Sequence, residues 1–491
     1  MTMKRSIWIL VMLALVAAGC ASSSPEAAPE ASETTTTTAP TTSSTSSAPD
    51  EPAVEESSDD ADTSPVQAQL DWVVSGLSDP DLLTVEAVEE HFSPAFLNQV
   101  PAAQISQFAA SLASLAEPPY TVEQFDSDEA GLSGQGLLLG SDGRSLTVDI
   151  AVGARSPNLI EGLFVGPSEF EFPEFSSVEE IDVALAEFGP GYSLGVYEIV
   201  GDECNAVHEI RPGEQIVLGS VFKLWVLAAL ADEIANGRAT WDETVMVTDE
   251  LRSSPDGEVF PLETGTEISL QRLAELMISI SDNTATDLLI NRLGRDTVEA
   301  AIGRSGVADP SLNVPLLSTS NLFTLKFAPQ EPNTQDYLPL DEPGRRSLLE
   351  QLDASVIPWL GLDPADLVGI ENADGVPIDE PRDLDLEWFA TADDLCQTFV
   401  HLDDLANTDG LEPVARALEI NPGGGIPFDT SRWPTIRFKG GSEPGVAAGA
   451  WWLEGADGEQ FVIAGGVANP DAALDELNAV LTLASAVQLV E

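Results

Sequence analysis

Two short segments of this chain combine hydroxyl and amine side chains at spacings that suit acyl transfer. The first is Ser220-Val-Phe-Lys223 and the second is Lys439-Gly-Gly-Ser442. The 491-residue sequence contains only four lysines, so the lysines of these two segments are better explained by chemistry than by solubility. A serine followed by a lysine three residues later predicts a nucleophile with an amine as its base.

The residues around Ser220 predict a buried helix. Apolar side chains occupy nearly every position from Val221 to Ala231, which is the pattern of a helix in the middle of a domain. Ser220 opens this helix, where backbone N–H groups favour an anion. Lys223 is expected on the same face as Ser220. Burial would lower the pKa of the Lys223 amine and leave a fraction of it neutral, able to accept the serine proton.

A third segment, Ser281-Asp282-Asn283, follows an amphipathic helical pattern between these two. The S-x-x-K, S-D-N and lysine–glycine segments, in this order, resemble the motif set of class A β-lactamases and penicillin-binding proteins. The resemblance covers residues 178–491. It implies an α/β (α+β) fold in which an antiparallel sheet flanks a helical lobe, with the site between the two.

The resemblance implies a role for each matching side chain. Ser220 is expected to be the acylated nucleophile, and Lys223 its base or proton relay. Ser281 would pass a proton to the leaving group. Asn283 would hold the substrate amide, and Lys439 would supply positive potential for a substrate carboxylate.

The resemblance also predicts the substrate-binding edge. The backbone N–H groups of Ser220 and Ser442 are expected to form the oxyanion hole, with Gly441 beside them in the substrate-binding segment. Gly440 stands where the family has a hydroxyl residue. One hydrogen bond to a substrate carboxylate is therefore missing unless Ser442 provides it.

The glutamate that activates the deacylating water in class A β-lactamases has no counterpart at the expected distance. Asp309-Pro-Ser-Leu-Asn313 is similar in pattern, but it stands nearer to Ser281 and its carboxylate arm is shorter. Asp309 is either a deacylation base or a loop and helix-capping aspartate. Without an efficient base, the acyl-enzyme is expected to persist, as in penicillin-binding proteins or β-lactamase-fold esterases.

These motifs predict an exported, monomeric serine hydrolase that forms an acyl-enzyme. Its expected substrate is a small amide, either a β-lactam or a peptidoglycan-like peptide, or an ester. The alternative is a catalytically decayed β-lactamase-fold module that binds in the cell envelope. The replacement of the family hydroxyl by Gly440 and the missing glutamate favour that alternative.

The composition restricts the partners. The formal charge is -63, which opposes binding to nucleic acid phosphates. The histidines His91, His208 and His401 lie far apart without ligand spacing, so neither a metal site nor a cofactor is predicted. Cys204 and Cys396 form a disulfide or remain two buried thiols, since spacing alone does not decide between these states.

The first twenty residues predict a lipoprotein signal peptide (1–20). Lys4 and Arg5 precede an apolar run that ends in Ala17-Ala18-Gly19-Cys20, which resembles the bacterial lipobox. Cys20 would then be lipidated and anchor the protein to the outer face of the cell membrane; ordinary secretion is the alternative. Residues 21–64 are rich in Ser, Thr, Pro, Ala and acid, and predict a disordered acidic tether.

Residues 65–168 predict a small α+β domain. Helical patterns come first, followed by four β-rich segments. The helical patterns are Gln67–Leu77, Val85–Phe92 and Ile105–Leu115, and the strand patterns are Tyr120–Phe125, Gln135–Leu139, Leu146–Val152 and Leu159–Val165. In order and length, this domain before a β-lactamase-like domain resembles the two-domain β-lactamase-like esterase of clavulanate gene clusters. That resemblance implies a cone like those of nuclear transport factors and steroid isomerases, or a cystatin-like sheet.

Overall fold

The computed structural model describes residues 64–97, 102, 105, 112, 116–128, 130–167, 173–254, 257–328, 332–358, 360, 381–426 and 428–490. The predicted signal peptide with Cys20 and nearly all of the predicted tether lie outside the described residues. So does most of the helical pattern Ile105–Leu115. None of the described helices is long and apolar enough to span a membrane.

The region from 64 to 167 places short helices before a four-stranded sheet. The helices are α1 (Pro65–Ser78), α2 (Val85–His91) and α3 (Pro94–Leu97), and the strands are β1 (Thr121–Ser127), β2 (Ser133–Leu139), β3 (Ser145–Val152) and β4 (Ile160–Pro167). The strands pair antiparallel in chain order. In β3 alternate residues from Leu146 to Val152 are buried, and they share one apolar core with Leu70 and Val73 of α1. The four predicted strands are confirmed, with shifts of a few residues at their ends.

The region from 173 to 490 contains a five-stranded sheet and a larger set of helices. Its strands are β5 (Gly191–Val200), β6 (Glu203–Ile210), β7 (Ile216–Val217), β8 (Thr244–Met246), β9 (Glu267–Ser269), β10 (Phe389–Ala390), β11 (Thr435–Glu443), β12 (Val446–Glu454) and β13 (Gln460–Ala468). Its helices are α4 (Val178–Phe188), α5 (Lys223–Ala235), α6 (Leu270–Ser279), α7 (Asn283–Leu293), α8 (Arg295–Arg304), α9 (Thr319–Phe327), α10 (Thr334–Tyr337), α11 (Glu342–Asp353), α12 (Ala392–Ala406), α13 (Pro413–Glu419) and α14 (Glu476–Ala484).

The five-stranded sheet separates two apolar cores. Its order is β11-β12-β13-β5-β6, all antiparallel, with β11 at an edge. One face packs with α4 and α14 around residues such as Ile181, Trp451 and Leu483. The other face packs with the helical lobe around α5, α6, α7 and α12. Both faces are covered, which is why β12 is buried along almost its whole length.

Helix α5 lies at the centre of the helical lobe, as its apolar sequence predicts. Every residue from Lys223 to Ala231 is buried. The predicted start is corrected by one turn, because Gly219–Phe222 forms a 3₁₀ turn and the α-helix begins at Lys223. Gly219 has φ of 47°, a left-handed conformation that glycine adopts at little cost. Ser220 therefore sits on a tight turn in front of the helix.

A disulfide joins Cys204 of β6 to Cys396 of α12. It decides between the two states that the sequence left open. The bridge ties the edge strand of the sheet to a helix of the lobe across 192 residues of chain. It thereby closes the part of the chain that contains Ser220 and Ser281 into one covalent loop.

Candidate active site

Ser281 lies between two buried lysines. Its Oγ is 3.1 Å from Lys223 Nζ and 3.0 Å from Lys439 Nζ. Lys223 is 0% exposed and Lys439 is 3% exposed. Two ammonium groups that donate to one hydroxyl oxygen occupy its lone pairs. The hydroxyl proton of Ser281 is then left to be donated to a third group.

The backbone of Ser281 is held in an uncommon conformation. Its φ is 60°, in the left-handed region that few serines adopt. Asp282, the next residue, caps α7 and fixes this turn. Its carboxylate accepts from the backbone N–H groups of Glu258, Val259 and Ala285. Burial raises the pKa of Asp282, while these N–H groups and the nearby Lys223 lower it by less.

Lys223 joins helix α5 to the segment that contains Ser281. Its Nζ donates to the Ser281 carbonyl at 2.6 Å and to Asn283 Oδ1 at 2.6 Å. Asn283 Nδ2 in turn donates to Ser254 Oγ at 2.8 Å. The amide orientation follows from these partners, because the oxygen must face the ammonium group. Asn283 thus positions Lys223, and its NH₂ group points toward the loop at Ser254.

Lys439 brings the sheet edge to Ser281. Its Nζ also donates to the Gly440 carbonyl at 2.6 Å. Burial, and next the positive charge of Lys223, hold the pKa of Lys439 well below its ordinary value of 10.5. A neutral Lys439 can accept the Ser281 proton, while a charged one donates to the Ser281 oxygen. The arrangement therefore allows a proton to move through Ser281 between two amines.

The strand register turns the Ser442 N–H away from β12. Strand β11 continues through the Lys439–Ser442 segment to Glu443. Glu443 pairs with Val446 across a two-residue turn, so these two residues form a hydrogen-bonded pair. Hydrogen-bonded and non-hydrogen-bonded pairs alternate along an antiparallel ladder, so Ser442 belongs to a non-hydrogen-bonded pair. Its N–H therefore points away from β12. Since β11 is the edge strand, this N–H faces outward.

The edge of β11 that does not pair with β12 lies directly against the turn that carries Ser220. A Cβ built on Gly441 would lie 2.1 Å from the Leu218 carbonyl oxygen and 2.6 Å from Ser220 N. Only glycine permits that approach. A Cβ on Gly219 would likewise lie 3.1 Å from Ser442 N. The backbone N–H groups of Ser220 and Ser442 therefore occupy one small region, which is the arrangement that an oxyanion hole requires.

Asp309 is bonded within its own loop. Its side chain caps the 3₁₀ turn Pro310–Asn313 by accepting from the backbone N–H and the hydroxyl of Ser311. The residue is exposed. This geometry corresponds to the loop-capping aspartate rather than to a base that is directed at Ser220.

Sequence reasoning missed a second buried charge cluster next to the site. Lys326 Nζ lies 2.6 Å from Glu387 Oε1 and 2.5 Å from Glu443 Oε1. The lysine and Glu387 side chains are 0% exposed and the Glu443 side chain 7%. Burial, and next the charge of Glu387, raise the pKa of Glu443 well above 4.5. The signal in the sequence that could have indicated this cluster is the scarcity of lysine. The two motifs and the signal peptide account for the other three lysines, which leaves Lys326 without an assigned role.

Glu476 is a further residue that the sequence did not indicate. It is the first residue of α14. Burial raises the pKa of Glu476 to about 7, although the nearby Ser442 side chain lowers it. In the described ranges no group of three or more His, Cys, Asp and Glu side chains is arranged to hold a metal ion.

Two parts of the chain match the sequence models of known protein families. Residues 177–336 match the sequence model of the family described as "Beta-lactamase enzyme family". That match contains Ser220, Lys223 and Ser281, whereas the Lys439 strand lies beyond it. Residues 61–157 match the model described as "ORF 12 gene product N-terminal". None of the curated protein sequences compared with the chain matches it.

Similar solved structures include β-lactamases and a penicillin-binding protein. A β-lactamase from Sphaerobacter thermophilus is 20% identical over 65% of this chain and 98% of its own, with a TM-score of 0.44. A class A β-lactamase representative from Bacteroides cellulosilyticus is 19% identical over 63% of this chain and 94% of its own, with a TM-score of 0.40. PBP-A is 15% identical over 65% of this chain and 100% of its own, with a TM-score of 0.39. The sheet and helical lobe of residues 173–490 have a β-lactamase-like fold.

Proposed function

We propose that this protein is a serine hydrolase that attacks an amide or ester carbonyl with Ser220 and passes through an acyl-enzyme. The observation that carries the proposal is Ser281 Oγ between two buried amines, at 3.1 Å and 3.0 Å. Burying two amines next to each other costs free energy, because their positive charges repel and lose contact with water. Lysines that served only solubility would lie on the surface instead. A catalytic proton relay gives a reason for it.

In the proposed acylation, the neutral form of Lys223 accepts the Ser220 proton as Oγ bonds to the substrate carbonyl carbon. The carbonyl oxygen becomes negative and is held by the N–H groups of Ser220 and Ser442. Lys223 passes a proton to Ser281, and Ser281 gives its own proton to the leaving nitrogen or oxygen. The bond to the leaving group then breaks. Lys439 stabilises the Ser281 oxygen through its hydrogen bond while the proton is relayed.

In the proposed deacylation, water attacks the acyl carbon and regenerates Ser220. Asp309 is exposed and caps its own loop through Ser311, so we do not assign it the role of the class A glutamate toward this water. We expect deacylation to be slower than acylation. This favours penicillin-binding or esterase behaviour over rapid β-lactam hydrolysis.

The test is intact-mass spectrometry after mixing the protein with a fluorescent penicillin and, separately, with p-nitrophenyl acetate. The wild type is expected to gain one acyl group with at least one of the two reagents, while Ser220→Ala gains none. No adduct on the wild type would favour a decayed module that only binds in the envelope. An equal adduct on Ser220→Ala would place the chemistry elsewhere.

We also propose export and lipid anchoring through Cys20. The support is the charged start, the apolar run and the Ala-Ala-Gly-Cys segment of the sequence. In detergent phase separation of bacterial membranes, the wild type is expected in the detergent phase and Cys20→Ala in the aqueous phase. An aqueous wild type would refute the anchor.

Residues 65–168 are proposed to form a separate small domain in front of the hydrolase. Its own apolar core and the separate family match of residues 61–157 support this division. Limited proteolysis should cut near residues 168–177 and leave two protease-resistant fragments. Cleavage that starts inside β1–β4 would contradict it.

A further inference from the structure

Lys326 connects the two backbone segments that hold the oxyanion donors of the proposed site. Its Nζ donates to Glu387 Oε1 at 2.6 Å and to Glu443 Oε1 at 2.5 Å. All three side chains are buried. One ammonium group therefore joins two carboxyl groups that belong to different parts of the fold.

Glu443 links this lysine to the first donor, the N–H of Ser442. It follows Ser442 directly and is the last residue of β11. Its backbone also pairs with Val446 across the turn to β12. Because the peptide unit between Ser442 and Glu443 is planar and rigid, a displacement of the Glu443 backbone also displaces the end of the strand that carries the donor.

Glu387 links the same lysine to the second donor, the N–H of Ser220. The residue after Glu387 is Trp388, whose carbonyl accepts from the Leu218 N–H at 3.0 Å. The Trp388 ring also stacks on Phe222, with 3.8 Å between the ring centroids. Leu218 and Phe222 stand two residues before and two residues after Ser220. The Glu387–Trp388 segment therefore supports the Ser220 turn from both sides.

Helix α9 holds Lys326 in place between the two carboxyl groups. At the start of the helix, the Asp287 carboxylate accepts from the backbone N–H groups of Thr319 and Ser320, each at 2.8 Å. Near its end, the Lys326 carbonyl accepts from Arg382 at 2.9 Å. Both ends of the helix are thus fixed by neighbouring elements, so the ammonium group has a defined position.

We infer that Lys326 is a positioning residue that sets the separation of the Ser220 and Ser442 N–H groups, and so determines how well the oxyanion hole fits the developing negative charge. This rests on the proposed function. Lys326 acts through Glu387 and Glu443. An oxyanion hole stabilises the transition state more than the bound substrate, so a displaced donor slows acylation with little effect on substrate binding. A misplacement of about 1 Å costs about a hundredfold in rate.

Two variants of the full-length protein test this role. Lys326→Met removes the link but leaves two buried carboxyl groups without their cation, so it is expected to lose stability. The second variant adds Glu387→Met and Glu443→Met, which leaves an apolar cluster of similar volume. Replacing a buried ion-pair cluster in this way is often neutral or stabilising. The triple variant therefore separates the loss of the link from the loss of the fold.

The first measurement separates the rate of acylation from substrate binding. It uses whichever reagent acylates the wild type faster, the fluorescent penicillin or p-nitrophenyl acetate. In the triple variant the maximal rate of acylation should fall by about tenfold to a hundredfold. The concentration that gives half of the maximal rate should change by less than about twofold, because ground-state contacts are kept.

The second measurement compares p-nitrophenyl acetate with its thiono analogue, in which sulfur replaces the carbonyl oxygen. The two esters share a leaving group, but sulfur accepts hydrogen bonds weakly and gains less from the oxyanion donors. The ratio of ester to thionoester rates should therefore fall by about tenfold in the triple variant. This ratio, taken within one preparation, is independent of how much of the protein is folded.

Ile181→Ala is the matched control for lost stability. It removes buried apolar volume on the other face of the sheet, which destabilises the fold without touching the link, so it should keep the wild-type ratio. If the triple variant keeps the maximal rate of the wild type, or its ratio of ester to thionoester rates is unchanged, the inference is overturned while the proposed function stands. If neither the penicillin nor the ester acylates Ser220 in the wild type, the function and the inference fall together.

Discussion

Replacing Lys326 by methionine tests the buried charge cluster next to the site. The lysine is fully buried and contacts Glu387 at 2.6 Å and Glu443 at 2.5 Å. Methionine fills a similar volume but leaves two buried carboxyl groups without their cation. Removing one partner of a buried ion pair costs about 3–5 kcal/mol. That cost is a large part of the stability of an ordinary domain.

Glu443→Gln is the matched comparison for this prediction. Its carboxyl pKa is raised well above 4.5, so just above pH 4.5 the folded protein retains on Glu443 a proton that can be donated to Glu387. Glutamine has the same shape and also donates, while its oxygen can still accept from Lys326. Near pH 4.5 we therefore expect a change within about 1 kcal/mol, far smaller than that of Lys326→Met.

The raised pKa of Glu443 makes the stability of the folded protein depend on pH, with a definite sign. As pH rises above 4.5, the unfolded chain releases the Glu443 proton while the folded chain retains it. The contribution of this group to stability is therefore lost with increasing pH, by up to about 1.4 kcal/mol per unit until the folded pKa is reached. Glu443→Gln lacks this loss and should gain stability relative to the wild type as pH rises above 4.5.

Urea unfolding followed by tryptophan fluorescence measures both effects. Most tryptophans lie after residue 173, so the signal reports the region that contains the cluster. Two results would refute the reasoning. One is a loss below about 1 kcal/mol in Lys326→Met, and the other is a difference between wild type and Glu443→Gln that does not change with pH.

Three further predictions concern the site and its frame. Ser281→Ala should lower the acylation rate by about 10²–10⁴ with little change in substrate binding, measured by stopped-flow; an unchanged rate would exclude the relay. Gly441→Ala should abolish acylation, because the new Cβ would lie 2.1 Å from a backbone atom. The control Gly191→Ala, whose Cβ would have its nearest neighbours at 3.5 Å, should keep it. Equal activity of the two variants would contradict the close approach. Replacing Cys204 and Cys396 by alanine should destabilise the protein by at most about 5 kcal/mol for a loop of this length, and thiol titration of the unfolded wild type should find neither cysteine free.

Local patterns predicted much of the fold. The alternation in β3 and the largely apolar run of α5 reflect side-chain directions that the local backbone fixes, so they can be recognised directly in the sequence. The start of α5 was misplaced because a 3₁₀ turn and an α-helix share the same apolar pattern over four residues. The extension of β11 through Gly440 and Gly441 was missed because glycine is unfavourable in strands unless another backbone must approach closely, as Leu218 does here.

The residues of the candidate site could be predicted from the sequence, but the contacts between them could not. The order of the three motifs led to Ser220, Lys223, Ser281 and Lys439 through the family resemblance. Nothing in the sequence predicted that Ser281 Oγ would lie between the two lysines, or that Asn283 would bind Lys223. Glu387 belongs to no motif, and its partner Lys326 lies on another element.

The sequence by itself determined the chemical groups, the helices and strands that carry them, and the regions of the chain that are acidic or apolar. Only the tertiary structure decided which groups meet. Lys439 and Ser281 are 158 residues apart, and Lys326 and Glu443 are 117 apart. Such contacts depend on how the sheet edge packs on the helical lobe, since burial of two apolar faces at once fixes the strand register. The pKa values of Lys439, Glu443 and Glu476 follow from that packing, because burial is a property of the assembled layers.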